Sequence, residues 1–198
     1  MSHFNQSANQ WDRPEKIETS LAIVSAMKSK INLNDRPRVM DFGCGTGLLA
    51  FQFANDAKEI VGIDTSSGML DVFNQKALKH KHISSINLDL ESNDLNEKFD
   101  LIISSTAFHH LNDPCAMMGK FKNMLNEGGQ IALVDFDKED GTFHSDNTAM
   151  GVKHFGFSKD VLLKWAKTHQ LNFQSHDIIH SIHKNDRDYG MFCLVLSK

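Results

Sequence analysis

Two hydrophobic periods alternate along this chain, and that alternation restricts its fold more than any other property. Short, nearly continuous apolar runs stand at residues 38–42, 59–63, 85–88, 100–104 and 130–134. Stretches with helical spacing lie between and around them. The clearest spans 114–126, with Met117, Met118, Phe121, Met124 and Leu125 on one face. Asp113 as N-cap, Pro114 at the first helical position and Gly128-Gly129 beyond the end punctuate it as helix chemistry requires. A second runs over 159–169 behind a Ser158 cap, with Val161, Leu162, Trp165 and Ala166 together. A third opens near Pro14 and carries Ile17, Leu21, Val24 and Ile31. Apolar strands alternating with helices predict a parallel sheet covered on both faces. The tail is different: residues 172–183 and 189–197 are strand-like and separated only by 184–188, which suits an antiparallel hairpin. The expectation is an α/β fold with a doubly wound seven-stranded sheet: five parallel strands, a C-terminal antiparallel hairpin and helices on both faces. Residues 137–157 are irregular, and an uncovered stretch of that length tends to be functional or mobile.

A length of 198 residues suits one domain. Hydrophobic residues at 40% and charged residues at 23% exclude a disordered chain. The net charge of −4 argues against nucleic acid as a partner, because phosphate binding needs clustered Lys and Arg. No apolar run approaches the ~20 residues that span a bilayer, so no membrane partner is expected. The stretch Met1-Ser2-His3-Phe4-Asn5-Gln6 lacks a basic segment followed by an apolar one, and does not read as a leader. Cys44, Cys115 and Cys193 are odd in number and without CxxC spacing, which points to a reducing, cytoplasmic setting and neither disulfide nor zinc.

The first strand runs into Asp41-Phe42-Gly43-Cys44-Gly45-Thr46-Gly47-Leu48. Glycines at alternate positions let a chain turn sharply from strand to helix and bring bare backbone against a ligand. A dinucleotide site has the spacing G-x-G-x-x-G, in which the third glycine would fall on Leu48. Asp41 suits an anionic pyrophosphate poorly and a cationic ligand well. The pattern resembles motif I, D-x-G-x-G-x-G, of class I S-adenosylmethionine-dependent methyltransferases. It continues in Asp64 after the second strand, Met69 in Ser67-Gly68-Met69-Leu70, Asp89 after the third strand, and Leu125-Asn126-Glu127-Gly128-Gly129. The lead-in Phe4, Ala8, Trp11-Asp12 is similar to that of a quinone-biosynthesis-like branch, where it folds over the cofactor as a lid. The resemblance implies a Rossmann-like fold, S-adenosylmethionine as cofactor with S-adenosylhomocysteine as product, and no metal. It implies cofactor contacts at Trp11, Asp41, Gly43, Cys44, Gly45, Gly47, Asp64, Thr65, Met69, Asp89, Leu90 and Ser104. Asp64 would accept from the ribose hydroxyls, Met69 would pack on the adenine and Asp89 would meet its amino group. As plain structure, Asp64 is a helix cap, Met69 is core and Asp89 a solvated turn residue.

An activated methyl donor asks the protein mainly to align donor and acceptor and to exclude water. A base is optional, and histidine suits that role at neutral pH. His109 follows the fourth strand and, with His154, is a candidate base. His109, His144 and Phe155 are candidate acceptor contacts, since an insert after the fifth strand overhangs the ligand crevice. His110, beside His109, reads at least equally well as a histidine capping the start of the next helix. Asp135, Asp137, Glu139, Asp140, His144 and His154 match neither a calcium loop nor a zinc signature. The chain thus divides into an N-terminal helical lid (1–35), a cofactor-binding core (36–136), an acceptor-side insert (137–157), and a helix with a strand pair (158–198). The reading is methyl transfer to a small-molecule acceptor. Two alternatives stand beside it: a non-catalytic S-adenosylmethionine-binding partner subunit and an NAD(P)-dependent oxidoreductase.

Overall fold

The computed structural model describes residues 3–198. The first two positions of the leader reading and of the 1–35 segment lie outside the described residues. Seven strands form one sheet in the order β3-β2-β1-β4-β5-β7-β6. They are β1 (Arg38–Phe42), β2 (Glu59–Asp64), β3 (Ile83–Asn87), β4 (Phe99–Ser105), β5 (Leu125–Phe136), β6 (Asn172–Lys184) and β7 (Arg187–Ser197). The first five pair in parallel, and β7 runs antiparallel to both β5 and β6. Only β7 therefore opposes the rest, and β6 points with the first five.

The period of two along each strand builds two cores, one on each face. Met40, Phe42, Val61, Ile63, Ile102, Ile131, Leu133, Phe192 and Leu194 face α4 (Pro114–Met124) and α5 (Lys159–Thr168). Val39, Ile60, Leu101, Ile103, Ala132, Val134, Cys193 and Val195 face α2 (Pro14–Lys28) and α3 (Ser67–Ala77). Each large apolar side chain buried this way contributes roughly 1.5–3 kcal/mol. A short α1 (His3–Ser7) and a 3-10 turn, Ala8–Gln10, precede α2.

Three local departures from the sequence reading have identifiable causes. After β1 the chain makes only a 3-10 turn, Ala50–Phe53, because the Ala50 N–H bonds the Asp41 carboxylate at 3.1 Å in place of a carbonyl. The helix expected to 126 stops at Met124, since Leu125 is already extended and pairs with Phe99. Residues 126–129 then loop out before Gln130 pairs with Leu101, so the double glycine serves a bulge in β5. The β6–β7 link is two residues, Asn185 and Asp186, both left-handed at φ 52° and 56°, as a type I′ hairpin turn demands.

The strand order reverses at β1, which lies between β2 and β4. Ligands of open α/β sheets bind where the strands' carboxyl ends splay apart at such a switch. Here that point brings Gly43, after β1, against Ala107, after β4.

Candidate active site

The crevice floor is the glycine turn. Gly43 and Cys44 donate backbone N–H groups to Ile63 O at 2.8 and 3.2 Å, tying the end of β1 to β2. Gly43 has φ +68°, and a Cβ there would lie 2.4 Å from Ala107 Cβ. Gly45 also has positive φ, +52°, but a Cβ there meets nothing within 4 Å. One glycine is needed for packing, and the other stands beside open space.

Two carboxylates line this floor. Asp64 Oδ2 accepts from Gly45 N–H and Oδ1 from Ser66 N–H, both at 2.8 Å. Burial pushes the Asp64 carboxyl up. Asp41 is buried; its Oδ2 takes the Ala50 N–H, and its Oδ1 has no hydrogen-bond partner among the described residues. Desolvation, with the Asp64 charge nearby, pushes Asp41 up to about 8. The Gly43, Gly45 and Gly47 N–H groups are already donated, to Ile63 O, Asp64 and Cys44 O, so this acid-lined floor offers a pyrophosphate none of them. It fits a ligand that carries positive charge and hydroxyl donors.

The N-terminal segment crosses this floor. Asn5 Oδ1 accepts from Ser66 Oγ at 2.7 Å and from Gly68 N–H at 2.9 Å, at the start of α3. Asp12 takes the Thr46 hydroxyl and pairs with Lys76. Phe4 sets its ring edge-on to Trp11 at 5.7 Å and to His110 at 5.2 Å. The Lys16 ammonium sits over the Trp11 ring, and burial lowers it to about 8. Met69 is 2% exposed yet belongs to neither core cluster, with the N-terminal segment on its helix.

The other wall follows β4. Thr106 is left-handed at φ 53°, an uncommon state for a β-branched residue, and its N–H is held by Val134 O at 2.9 Å. The next turn, Phe108–His110, buries His109. His109 Nδ1 lies 2.7 Å from Asp135 Oδ1, and its backbone N–H donates to Asp135 Oδ2 at 3.2 Å. The His110 and His144 rings stand 4.0 and 5.5 Å from that of His109. Burial, then the neighbouring His109, lowers both to about 4, so both are neutral imidazoles. Phe136 and Phe143 complete the wall, with rings 4.2 Å apart.

A family model for the methyltransferase domain matches residues 33–192, well over half of the chain. This chain belongs to that methyltransferase family. An uncharacterized methyltransferase of Schizosaccharomyces pombe is 32% identical over 151 residues, 68% of this chain and 53% of the relative. The malonyl-[acyl-carrier protein] O-methyltransferase of Acetivibrio thermocellus is 29% identical over 139 residues, covering 68% and 48%. This methyltransferase chain thus spans about half the length of those curated relatives. Among solved structures, a Haloferax volcanii putative methyltransferase in complex with the Trm112 methyltransferase activator superposes with a TM-score of 0.82. It is 15% identical and covers 100% of this chain and 98% of its own. That likeness establishes the fold.

Within the methyltransferase domain the expected site residues divide. Asp41, Gly43, Gly45, Gly47, Asp64, Met69 and Trp11 gather round the cradle, and His109 and His144 meet on the opposite wall. Cys44 is buried with its thiol pushed well up by burial, and Leu90 is core, so these offer a ligand backbone only. Thr65 is exposed beside Asp64. Ser104 is a correction: fully buried, it donates its hydroxyl to Phe42 O at 2.9 Å and ties β4 to β1. Asp89 is exposed, and its oxygens take Glu91 N–H and Ser92 Oγ at 2.9 and 2.7 Å, which is the turn role. His154 is corrected as a base: its Nε2 bonds Leu111 O at 3.0 Å and its ring packs on Phe157, so it anchors the insert. Phe155 is 45% exposed and lies against Gly141 at the surface. Asn5, Thr46 and Asp135, which bond the cradle or the histidine wall, were not singled out in the sequence; Asp135 had appeared only within an acidic turn. Among the described residues no His/Cys/Asp/Glu group is arranged to hold a metal, and no helix is long and apolar enough to cross a membrane.

Proposed function

We propose that this methyltransferase domain moves a methyl group from S-adenosylmethionine to a small-molecule acceptor held between the glycine cradle and the histidine wall. The observation that carries the donor's identity is the acid-lined cradle: Asp41 with an unpartnered oxygen, Asp64, and open space at Gly45. S-adenosylmethionine supplies an activated methyl on a positively charged sulfur. Asp64 holds the ribose hydroxyls, Met69 flanks the adenine, and Asp41 faces the cationic end. The N-terminal segment, anchored by Asn5 and Asp12, closes over the cradle as a lid and excludes water. Alignment across the crevice supplies most of the rate, and His109 removes a proton where the acceptor carries one. A small acceptor is supported by the contacts that this segment and the 137–157 insert make with the histidine wall. NAD(P) is disfavoured by the same acids.

Calorimetry tests the reading. S-adenosylmethionine and S-adenosylhomocysteine bind while NAD and NADP stay silent, and Asp64→Ala weakens binding by ~1.5–3 kcal/mol, the scale of hydrogen bonds to a charged group. NAD binding of equal strength overturns it. A second reading, an enzyme that works with a partner subunit, is favoured by the activator-bound state of the Haloferax neighbour. Robust turnover by the isolated chain argues against it.

A further inference from the structure

The buried contact between His109 and Asp135 lies apart from the glycine cradle, and it is held on several sides. Asp135 is fully buried in the middle of the sheet, at the end of β5. Three N–H groups converge on it: the His109 backbone at 3.2 Å, the Phe136 backbone at 2.8 Å and the His109 ring at 2.7 Å. With one oxygen bound to the His109 backbone and the other to Phe136, the carboxylate has no freedom to turn. A fixed acceptor at 2.7 Å from Nδ1 places the proton of a neutral imidazole on that nitrogen. The second nitrogen, Nε2, has no hydrogen-bond partner among the described residues. The backbone carbonyl of His109 is held as well, by Lys153 and His154 N–H at 2.8 and 3.1 Å. Ring, N–H and C=O are all pinned, from β5 and from the insert.

We propose, building on the methyl-transfer reading, that Asp135 is a positioning residue that locks His109 in its Nδ1–H tautomer and aims Nε2 as a base. The acceptor class is then one that carries its own proton on oxygen, a phenolic or enolic hydroxyl, in preference to a carboxylate. As the new oxygen–methyl bond forms, the carbon–sulfur bond of the donor breaks and its electron pair stays on sulfur. The hydroxyl proton passes to Nε2, and the imidazolium so formed is stabilised by the Asp135 charge. The rest of the wall agrees. His110 from the same turn and His144 from the insert are neutral, Lys184 on β6, the lysine that acts on His144, is held at Phe143 O, Lys153, whose backbone N–H meets His109 O, is exposed, and Asp135 is the buried carboxylate. A carboxylate acceptor would meet one buried negative charge and no positive partner, and would need no base.

The tautomer is read directly by 15N NMR of the histidines in the ligand-free wild-type chain. At neutral pH His109 shows Nδ1 protonated and Nε2 bare; an Nε2–H tautomer overturns the proposal. Asp135→Asn keeps the shape and removes the charge. With labelled S-adenosylmethionine and catechol as probe acceptor, this variant loses about tenfold or more in kcat with KM little changed. The acid limb of its kcat–pH profile moves to lower pH, because the imidazolium loses its counter-charge. Unchanged kcat and an unmoved limb overturn the positioning role, and equal methylation of benzoate and catechol, indifferent to His109→Gln, overturns the acceptor class. The NMR result needs neither donor nor acceptor, so failure of S-adenosylmethionine to bind sinks the methyl-transfer reading alone.

Discussion

Gly43 and Gly45 are the same residue type in the same left-handed region, and the structure separates their reasons. At Gly43 a methyl group would collide with Ala107, 2.4 Å away, whereas at Gly45 it would enter empty space beside Asp64. Gly43→Ala should therefore lower thermal stability, by roughly 1–3 kcal/mol as overpacking does. Gly45→Val should cost the fold only its backbone strain and abolish S-adenosylmethionine binding; paired melting and calorimetry distinguish the two. Asp41 makes a pH prediction. Its folded pKa is raised from 3.8 to about 8 by burial. The folded state therefore holds a proton that the unfolded chain releases, and stability is lost as pH rises from near 4 through about 8. Asp41→Asn, which can still accept from Ala50, should raise the ligand-free melting temperature at pH 8 and leave it nearly unchanged at pH 4. A cationic ligand selects the ionised form, so wild-type affinity for S-adenosylmethionine should rise across the same interval. A flat stability difference between pH 4 and pH 8 would show that Asp41 is ionised throughout.

The elements that frame the acceptor side are held by a hairpin tip. Asn185 donates to Thr142 O at 2.8 Å, Lys184 donates to Phe143 O, and Arg187 pairs with Asp140. Thr142 also shares a hydrogen bond with the Tyr189 hydroxyl at 2.7 Å. The irregular insert thus borrows its order from a two-residue turn in which both residues are left-handed. Asp186 fills the second position, where Gly is preferred in this turn type. Asp186→Gly should stabilise the domain by roughly 0.5 kcal/mol, seen as a higher denaturation midpoint at constant slope. A lower midpoint would mean that the Asp186 side chain supports the turn in some other way. Period and turn chemistry make the hairpin legible from sequence, while its grip on the insert joins residues more than forty apart.

At the scale of the whole molecule, the sheet is a rigid floor and two segments without strands roof it. One is the N-terminal stretch that ends at Asp12, and the other is the insert after β5. They meet at the same histidine turn, through Phe4 on His110 and through His144 beside His109. Both rest on polar and edge contacts, and such regions open at low free energy while core strands do not. Hydrogen exchange should show amides in residues 3–12 and 139–156 slowing when S-adenosylmethionine is added, with β1, β4 and β5 unmoved. Equal protection with and without ligand would leave the N-terminal segment a fixed part of the fold and not a lid.

The sequence by itself determined the layered α/β fold, the hairpin and the glycine cradle, because hydrophobic period, capping chemistry and glycine spacing are local signals. Asp41, Asp64 and the strand-four histidines were legible for the same reason, since the two acids stand at strand ends and the histidines follow a strand within a few residues. Tertiary structure alone decided how each histidine is held. His109 and His154 look alike in sequence, yet one ring faces a buried carboxylate and the other bonds a backbone carbonyl. Ser104 and Asp89 took their local partners by the same kind of decision, through hydrogen bonds that only the folded chain presents. Asp135 was invisible as a partner because β4 and β5, neighbours in the sheet, carry it to a residue 26 positions away in the chain. Strand pairing, not sequence proximity, sets which polar groups share the low-dielectric interior, and there a single unmet hydrogen bond is costly enough to dictate a side chain's role.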